Sequence, residues 1–250
     1  MTTECQAEGE GRPSPSRARL AFTGALLILA VVFVALGTWQ LQRLSWKLDL
    51  IARVDARVQA EAVPAPAQLD WKSVSREKDE YRHVSKTGTF LHDKSVLVQA
   101  VTERGAGFWV VTPLVSEDGS SVLINRGFVP PDRRDPAQRA QGDVSGTTTV
   151  TGLLRISEPG GAFLRSNDPT NDRWFSRDVD AIATSKGLGD VAPYFIDADA
   201  TPNRGDLPIG GLTVVRFRNS HLVYALTWFT LAAMGVAAAY LVYRQRNKAA

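Results

Sequence analysis

The sequence predicts an α+β membrane protein, with two transmembrane helices flanking a mainly antiparallel β domain for which barrel-like closure is one solution. Three observations carry this. Residues 20–42 hold no charge, and LAFTGALLILAVVFVALG at 20–37 is almost wholly apolar. A second uncharged run fills 219–243. Between the two the hydrophobic period moves toward two. Each run meets the roughly 20 residues that a helix needs to cross ~30 Å of hydrocarbon. Short alternating segments are the mark of half-buried strands.

Residues 1–19 read as an N-terminal arm, with Arg12, Arg17 and Arg19 preceding the first span without an intervening acid. The span at 20–42 is longer than a signal-peptide core and is read as an uncleaved anchor. In 44–58, Leu44, Leu48, Ile51, Val54 and Val58 form one apolar helical stripe, so an amphipathic helix is expected to continue the span. VPAPA at 63–67 breaks it. Strands are expected at 81–90, 95–100, 108–114, 121–129, 147–155, 194–197 and 212–217, separated by turn compositions such as SEDGS and PPDRRDP. Residues 176–186 read as a short helix with Ser176 as N-cap and Gly187 as stop. The second span is 219–243, followed by a basic tail at 244–250.

Charge placement gives a topology. The segment 43–218 carries as many acids as bases, and so does 1–19; the net +3 sits at Arg244, Arg246 and Lys248. No basic face points to nucleic acid. The positive-inside rule puts both ends in the cytoplasm and 43–218 outside. The outer domain has no cysteine and no methionine, since Cys5, Met1 and Met234 lie elsewhere. It therefore lacks the soft ligands that Cu(I) prefers.

Catalytic signatures are missing: there is no phosphate loop, no GxGxxG, no HExxH and no GxSxG. His83 and His92 are read as ordinary surface histidines and NDPTND at 167–172 as a polar turn. In NRGFVPPDRR at 125–134, Arg126 is either an anion contact or, as favoured, a structural ion pair, with Gly127 as a backbone device.

The strongest constellation lies at the membrane edges. His221, Tyr224, Ala225 and Trp228 share one face of the second span, and Trp39, Arg43 and Trp46 share one face of the first, with Arg216 and Arg218 just before the second. Gly235, Ala239 and Ala232 on one side, and Gly24 and Ala25 on the other, offer small residues for helix pairing. The inventory suits haem, with an imidazole for iron, aromatics for a macrocycle and Arg for propionates. It equally suits an interfacial belt of Trp, Tyr, Arg and His.

Four stretches in this order, GTWQLQRLSWK at 37–47, NRGFVP at 125–130, the NDP–W–RD region at 167–178 and NSHLVYALTWF at 219–229, together resemble the surfeit-locus-one family, known in yeast as the Shy proteins. The resemblance runs from about residue 20 to 243. This chain has Phe128 and Val223 where the family's usual forms carry Trp and Gln. The resemblance implies a non-enzymatic role in assembling haem–copper terminal oxidases, notably cytochrome c oxidase, with haem a as a transiently bound cofactor. It makes His221 the axial haem ligand, with Trp39, Arg43, Tyr224, Trp228 and Arg218 as the expected pocket. The implied partners are haem a synthase, the oxidase catalytic subunit and the lipid bilayer. A scaffold that binds no haem and a membrane-anchored periplasmic enzyme are the alternatives. Glu4, Glu8 and Glu10 do not suit an acid-poor mitochondrial presequence, so a bacterial inner-membrane protein with a periplasmic central domain is expected.

Overall fold

The computed structural model describes residues 15–162, 164–213, 215, 217 and 219–248. The chain divides into two compact units, one formed by its two terminal parts (1–52 and 216–250) and one by residues 53–215.

In the first unit, the apolar run and the amphipathic stretch after it are parts of one helix, α1 (Pro15–Val58). Unbroken helix formers and the absence of Gly or Pro after Gly37 allow this continuity. The second apolar run forms most of α4 (His221–Lys248). Both helices are long and apolar enough to cross a membrane. Their most apolar stretches are mostly exposed, Ile28 at 68% and Leu226 at 60%, which a soluble core helix would not be.

The second unit is a mixed sheet of β1 (Val63–Pro64), β2 (His83–Phe90), β3 (Val96–Thr102), β4 (Gly105–Val115), β5 (Ser121–Val129), β6 (Thr147–Ile156) and β7 (Val191–Ala198). Their order is β1-β2-β6-β7-β5-β4-β3. β2 also pairs with β4, through Thr89–Val115 and Phe90–Leu114, so β2, β6, β7, β5 and β4 close into a five-stranded barrel. The expected sheet was mainly antiparallel; β1–β2 and β5–β7 are parallel.

Each barrel strand sends apolar side chains to one cluster: Val84 and Phe90, Leu114, Ile124, Leu154 and Ile196. A second cluster covers the outside of β3, β4, β5 and β7. There α3 (Val179–Ser185) lays Val179 and Ile182 against Val98, Leu123 and Phe195, with Trp174 beside them. β5 is buried on both faces along its whole length, which explains why SVLI reads as a continuous apolar run without alternation.

Several expectations change. VPAPA does end the helical region, but Val63 and Pro64 then add a short parallel strand to β2, and Pro66 O accepts from both Trp71 Nε1 and Tyr194 Oη. The cap of α3 is Asp178, whose carboxylate accepts from Ala181 N. Ser176 is buried instead, and its Oγ donates to Glu158 O. The expected strand at 212–217 does not form at its described residues. Just upstream, Ile209 exchanges two backbone hydrogen bonds with Phe128 at the end of β5, and β5 already has a neighbour on each side. Gly187 does stop α3, at φ +58. The EDG turn joins β4 and β5, with Asp118 accepting from Ser120 N and Oγ.

Candidate functional site

The helices α1 and α4 meet along two regularly spaced faces. On α1 the face is Ala30, Phe33, Gly37 and Gln40; on α4 it is His221, Ala225, Trp228, Ala232, Gly235 and Ala239. Both climb in alternating steps of three and four, the spacing of a helix-pair seam. Ala30, Gly37, Ala225, Ala232 and Ala239 are buried. Gly37 leaves room for the Phe229 ring, which stands 2.7 Å from where a Cβ would be. A Cβ on Gly235 would lie 3.5 Å from Ala30 Cβ. Phe33 stacks on Trp228 with centroids 5.5 Å apart, and Lys47 Nζ lies 5.0 Å from the Phe217 ring. From Ala30–Gly235 to Gln40–His221 the α1 number rises by ten while the α4 number falls by fourteen, so the helices run antiparallel. Gly24, expected at this contact, has nothing within 4 Å of a Cβ position; Gly37 and Ala30 take that role.

The polar end of the seam is made by two side chains. His221 opens α4, its backbone N–H bonded to Asn219 Oδ1, while Tyr224 N–H bonds Ser220 O. The first is an N-terminal donor that the helix itself cannot satisfy, and the second is the first bond of the helical ladder. Across the seam, His221 Nδ1 lies 2.8 Å from Gln40 Oε1. An amide oxygen only accepts, so Nδ1–H faces it, and in the neutral ring Nε2 is then the nitrogen with the lone pair. That is the arrangement of a metal-binding imidazole, whose far nitrogen is oriented by a second group. Among the described residues no three His, Cys, Asp or Glu converge. A bare cation therefore has no protein cage here, whereas iron held in a macrocycle needs only one or two protein ligands.

The other expected pocket residues are placed differently. Trp39 and Trp46 are 48% and 55% exposed, and Arg43 lies between them, 5.5 and 6.0 Å from the two ring centroids. This cluster occupies another face of α1 from Gln40. Tyr224 is 54% exposed. Trp228 lies on the seam, two turns deeper than His221. Arg218 and Arg216 lie outside the described residues. Gln40 was present in the sequence only as a motif member. Its three-residue step from Gly37 was the signal that puts it on the seam. Val223 is 65% exposed, so the polar partner of His221 comes from the opposite helix.

The barrel holds the remaining candidates, and they are engaged. Arg126 is the extra residue of a β-bulge: Val110 faces Gly127 and Val111 faces Asn125. Gly127 has φ +135, and a Cβ there would come within 2.2 Å of Ile209 O. The buried Arg126 guanidinium donates to Gly142 O and to Asp143, 2.8 Å away, and covers Phe90. It is a structural ion pair.

His92 and His83 were expected at the surface, and both are partly buried in networks. His92 Nε2 faces Val144 O at 3.0 Å, and its Nδ1 faces the Arg126 donor at 3.2 Å. His83 Nδ1 faces Ala60 O at 2.8 Å, and its Nε2 faces the Asp199 carboxylate at 2.7 Å. Two acceptors call for two N–H donors, the imidazolium form. Burial alone would lower this pKa, but the Asp199 and Ala60 hydrogen bonds and the Asp199 charge outweigh it, so it stands above its ordinary 6.5. Neither ring offers a free basic nitrogen.

Sequence reading also passed over a buried ionic centre. Asp197, 2% exposed, accepts from Asn125 Nδ2 at 2.7 Å, Arg155 at 2.9 Å and Arg177 at 3.0 Å. Both guanidiniums lie over Phe195, and Glu158 pairs with each. Arg177 is held above its ordinary pKa: desolvation pulls it down, and Asp197 and Glu158 outweigh that. The pattern pairs every charge and reads as structure.

Comparison with known proteins completes the picture. Residues 27–233 match the model of the SURF1 family. Surfeit locus protein 1 of Rattus norvegicus is 38% identical over 239 residues, which is 88% of this chain and 74% of that protein. The Homo sapiens protein of the same name is 37% identical over 240 residues, 88% of this chain and 76% of that protein. A SURF1-like protein of Monosiga brevicollis is 38% identical over 227 residues, covering 85% and 84%.

Proposed function

The chain belongs to the SURF1 family, and from that premise we propose that it is a non-enzymatic assembly factor for a haem–copper terminal oxidase, notably cytochrome c oxidase, that holds haem a at the outer edge of a helix pair. In this reading α1 and α4 cross a bacterial inner membrane and the barrel stands in the periplasm. The chain takes haem a from its synthase and delivers it to the oxidase catalytic subunit.

One observation supports the haem reading above the rest: His221 Nδ1 is committed to Gln40, which leaves Nε2 as a lone-pair donor. Haem a, if bound, would supply an iron that such a nitrogen could hold. Gln40 fixes the tautomer and the ring plane. Trp228, stacked on Phe33, lines the seam below. Trp39, Arg43 and Tyr224 belong to the exposed surface around the site, where Arg43 can meet a carboxylate at the water edge. Ligation by one imidazole also suits a carrier, which has to release what it holds.

A non-catalytic role is supported by the engagement of His83 and His92, the only other imidazoles, within hydrogen-bond networks.

The test is an absorption spectrum. The chain, expressed where haem a is made and purified in mild detergent, is expected to show bound haem a that His221→Ala alters or removes. A purified chain without haem that still binds the oxidase subunit would replace the carrier by a scaffold. Loss of function in His83→Ala or His92→Ala with His221→Ala active would revive an enzyme.

A further inference from the structure

The NDP–W–RD region, distinctive in the sequence, has no part in the helix-pair site. In the barrel unit it forms one wall of an open cavity of about 580 Å³ beside the edge strand β3. Arg134, Arg165 and Arg173 line this cavity with Phe108, Phe175 and Gln99. That volume falls in the range of organic ligand sites.

Asp168 and Asp172 line the same cavity, so three guanidiniums face two carboxylates there. Asp168 accepts from Asn171 N and, at 2.7 Å, from Asn171 Nδ2. Those bonds hold its carboxyl below the ordinary range. Asp172 accepts from Trp174 Nε1 at 2.7 Å and pairs with Lys186 Nζ at 3.0 Å. Asn167 Oδ1 takes the N–H groups of Phe175 and Ser176, and Trp174 O accepts from Gln99 N on β3. The loop is thus fixed by its own side chains and docked on the sheet.

Two of the arginines are positioned without using up their charge. Arg134 lies over Phe108 at 5.0 Å and Arg165 over Phe175 at 5.5 Å. Arg165 also gives one N–H to the neutral amide of Gln99 at 2.7 Å. Arg173 feels the Asp168 charge, but among the described salt bridges none includes Arg134, Arg165 or Arg173. The three guanidiniums outnumber the two carboxylates of the lining, so the concavity keeps a net positive charge that attracts an anion. A guanidinium fork matches a planar carboxylate and can bond both of its oxygens.

We propose that this cavity binds a ligand carrying two or more carboxylates on an apolar body, with Arg134, Arg165 and Arg173 as its anchors and Phe108 and Phe175 against its apolar part. The site stands whether or not His221 ligates iron.

The test is calorimetric titration of the full chain in detergent at low ionic strength. The probes are citrate and an acetylated peptide of alternating glutamate and phenylalanine, with the glutamine–phenylalanine peptide as control. Saturable binding of the acidic peptide is expected, with none of the control. Arg173→Ala should weaken it about tenfold or more, as loss of a charge-assisted hydrogen bond implies. Arg173 makes no described side-chain hydrogen bond or salt bridge, so this variant leaves the fold intact. Arg173→Lys should recover part of the affinity. Binding of citrate alone would keep the carboxylate chemistry and assign it to a small free acid. Equal binding of the control peptide, unchanged binding by the Arg134→Ala/Arg173→Ala variant, or no binding of either acid would overturn the proposal.

Discussion

The barrel and the helix pair handle polar groups in opposite ways. In the barrel, buried charge is surrounded: Asp197 has three donors, and Arg126, His83 and His92 each have partners. In the helix pair, a seam of alanine and glycine carries one described cross-helix polar contact, His221 to Gln40, and large apolar side chains face outward. The first region contains its own stabilisation. The second has little buried apolar area, and its helices associate by close packing of small residues. Among the described contacts, His221 is the one imidazole of three that uses a single ring nitrogen.

The sharpest way to break this contrast is Asp197→Ala. It removes the shared acceptor of Asn125, Arg155 and Arg177, leaving the arginines only Glu158 and Glu80, and should cost about 3 kcal/mol, read by urea unfolding of the barrel, while any haem spectrum of the remaining folded chain stays the same. Gly37→Leu tests the other region. The new side chain meets Phe229 and should cost the helix pair about 1–3 kcal/mol by overpacking, with the barrel transition unmoved. Cysteines at Ala30→Cys and Gly235→Cys report it: a Cβ separation of 3.5 Å suits a disulfide, and the cross-linking yield should fall in the Gly37→Leu background. Gln40→Ala should leave the helices paired but weaken haem a about 10- to 100-fold, the usual cost of losing the group that orients a ligating imidazole. Unchanged affinity would mean the contact is packing only. The smallest effect concerns His83. Its folded pKa lies above 6.5, so its stabilisation is fully present below about 6.5 and is lost as pH rises through the folded value. The His83→Ala chain should lose that alkaline decline. The pair is partly exposed and therefore screened, so the difference is a modest shift in urea midpoint.

Much of the architecture was legible because the signals were strong. Two uncharged runs and six alternating segments became α1, α4 and strands β2 to β7. What escaped depended on partners distant in sequence. Val63 and Pro64 form a strand only because β2 offers an edge, and two prolines disguise it. The segment 212–217 is rich in strand formers, yet composition says nothing of whether an edge is free. Ser176 has the composition of a cap, but Glu158, eighteen residues earlier, claims its hydroxyl. At the site, His221 stood out because a histidine at the head of an apolar run is costly. Gln40 stayed hidden because a lone amide among tryptophans and arginines carries no signal until the register of the seam is known.

The closure of the barrel carries a kinetic consequence. Strand β2 meets β6 over seven residue pairs but meets β4 over two, with one further bond from Leu91 N to Pro113 O. Strand β4 lies near β2 in sequence, yet β6, the heavier partner, is some sixty residues away. The long ladder must therefore bear the entropic cost of closing a large loop, and the short one can latch or release at little expense. Amide hydrogens of Thr89, Leu91 and Val115 should exchange with solvent through brief openings that leave β6 and β7 protected. The barrel would breathe along one line, like a cylinder with a zip.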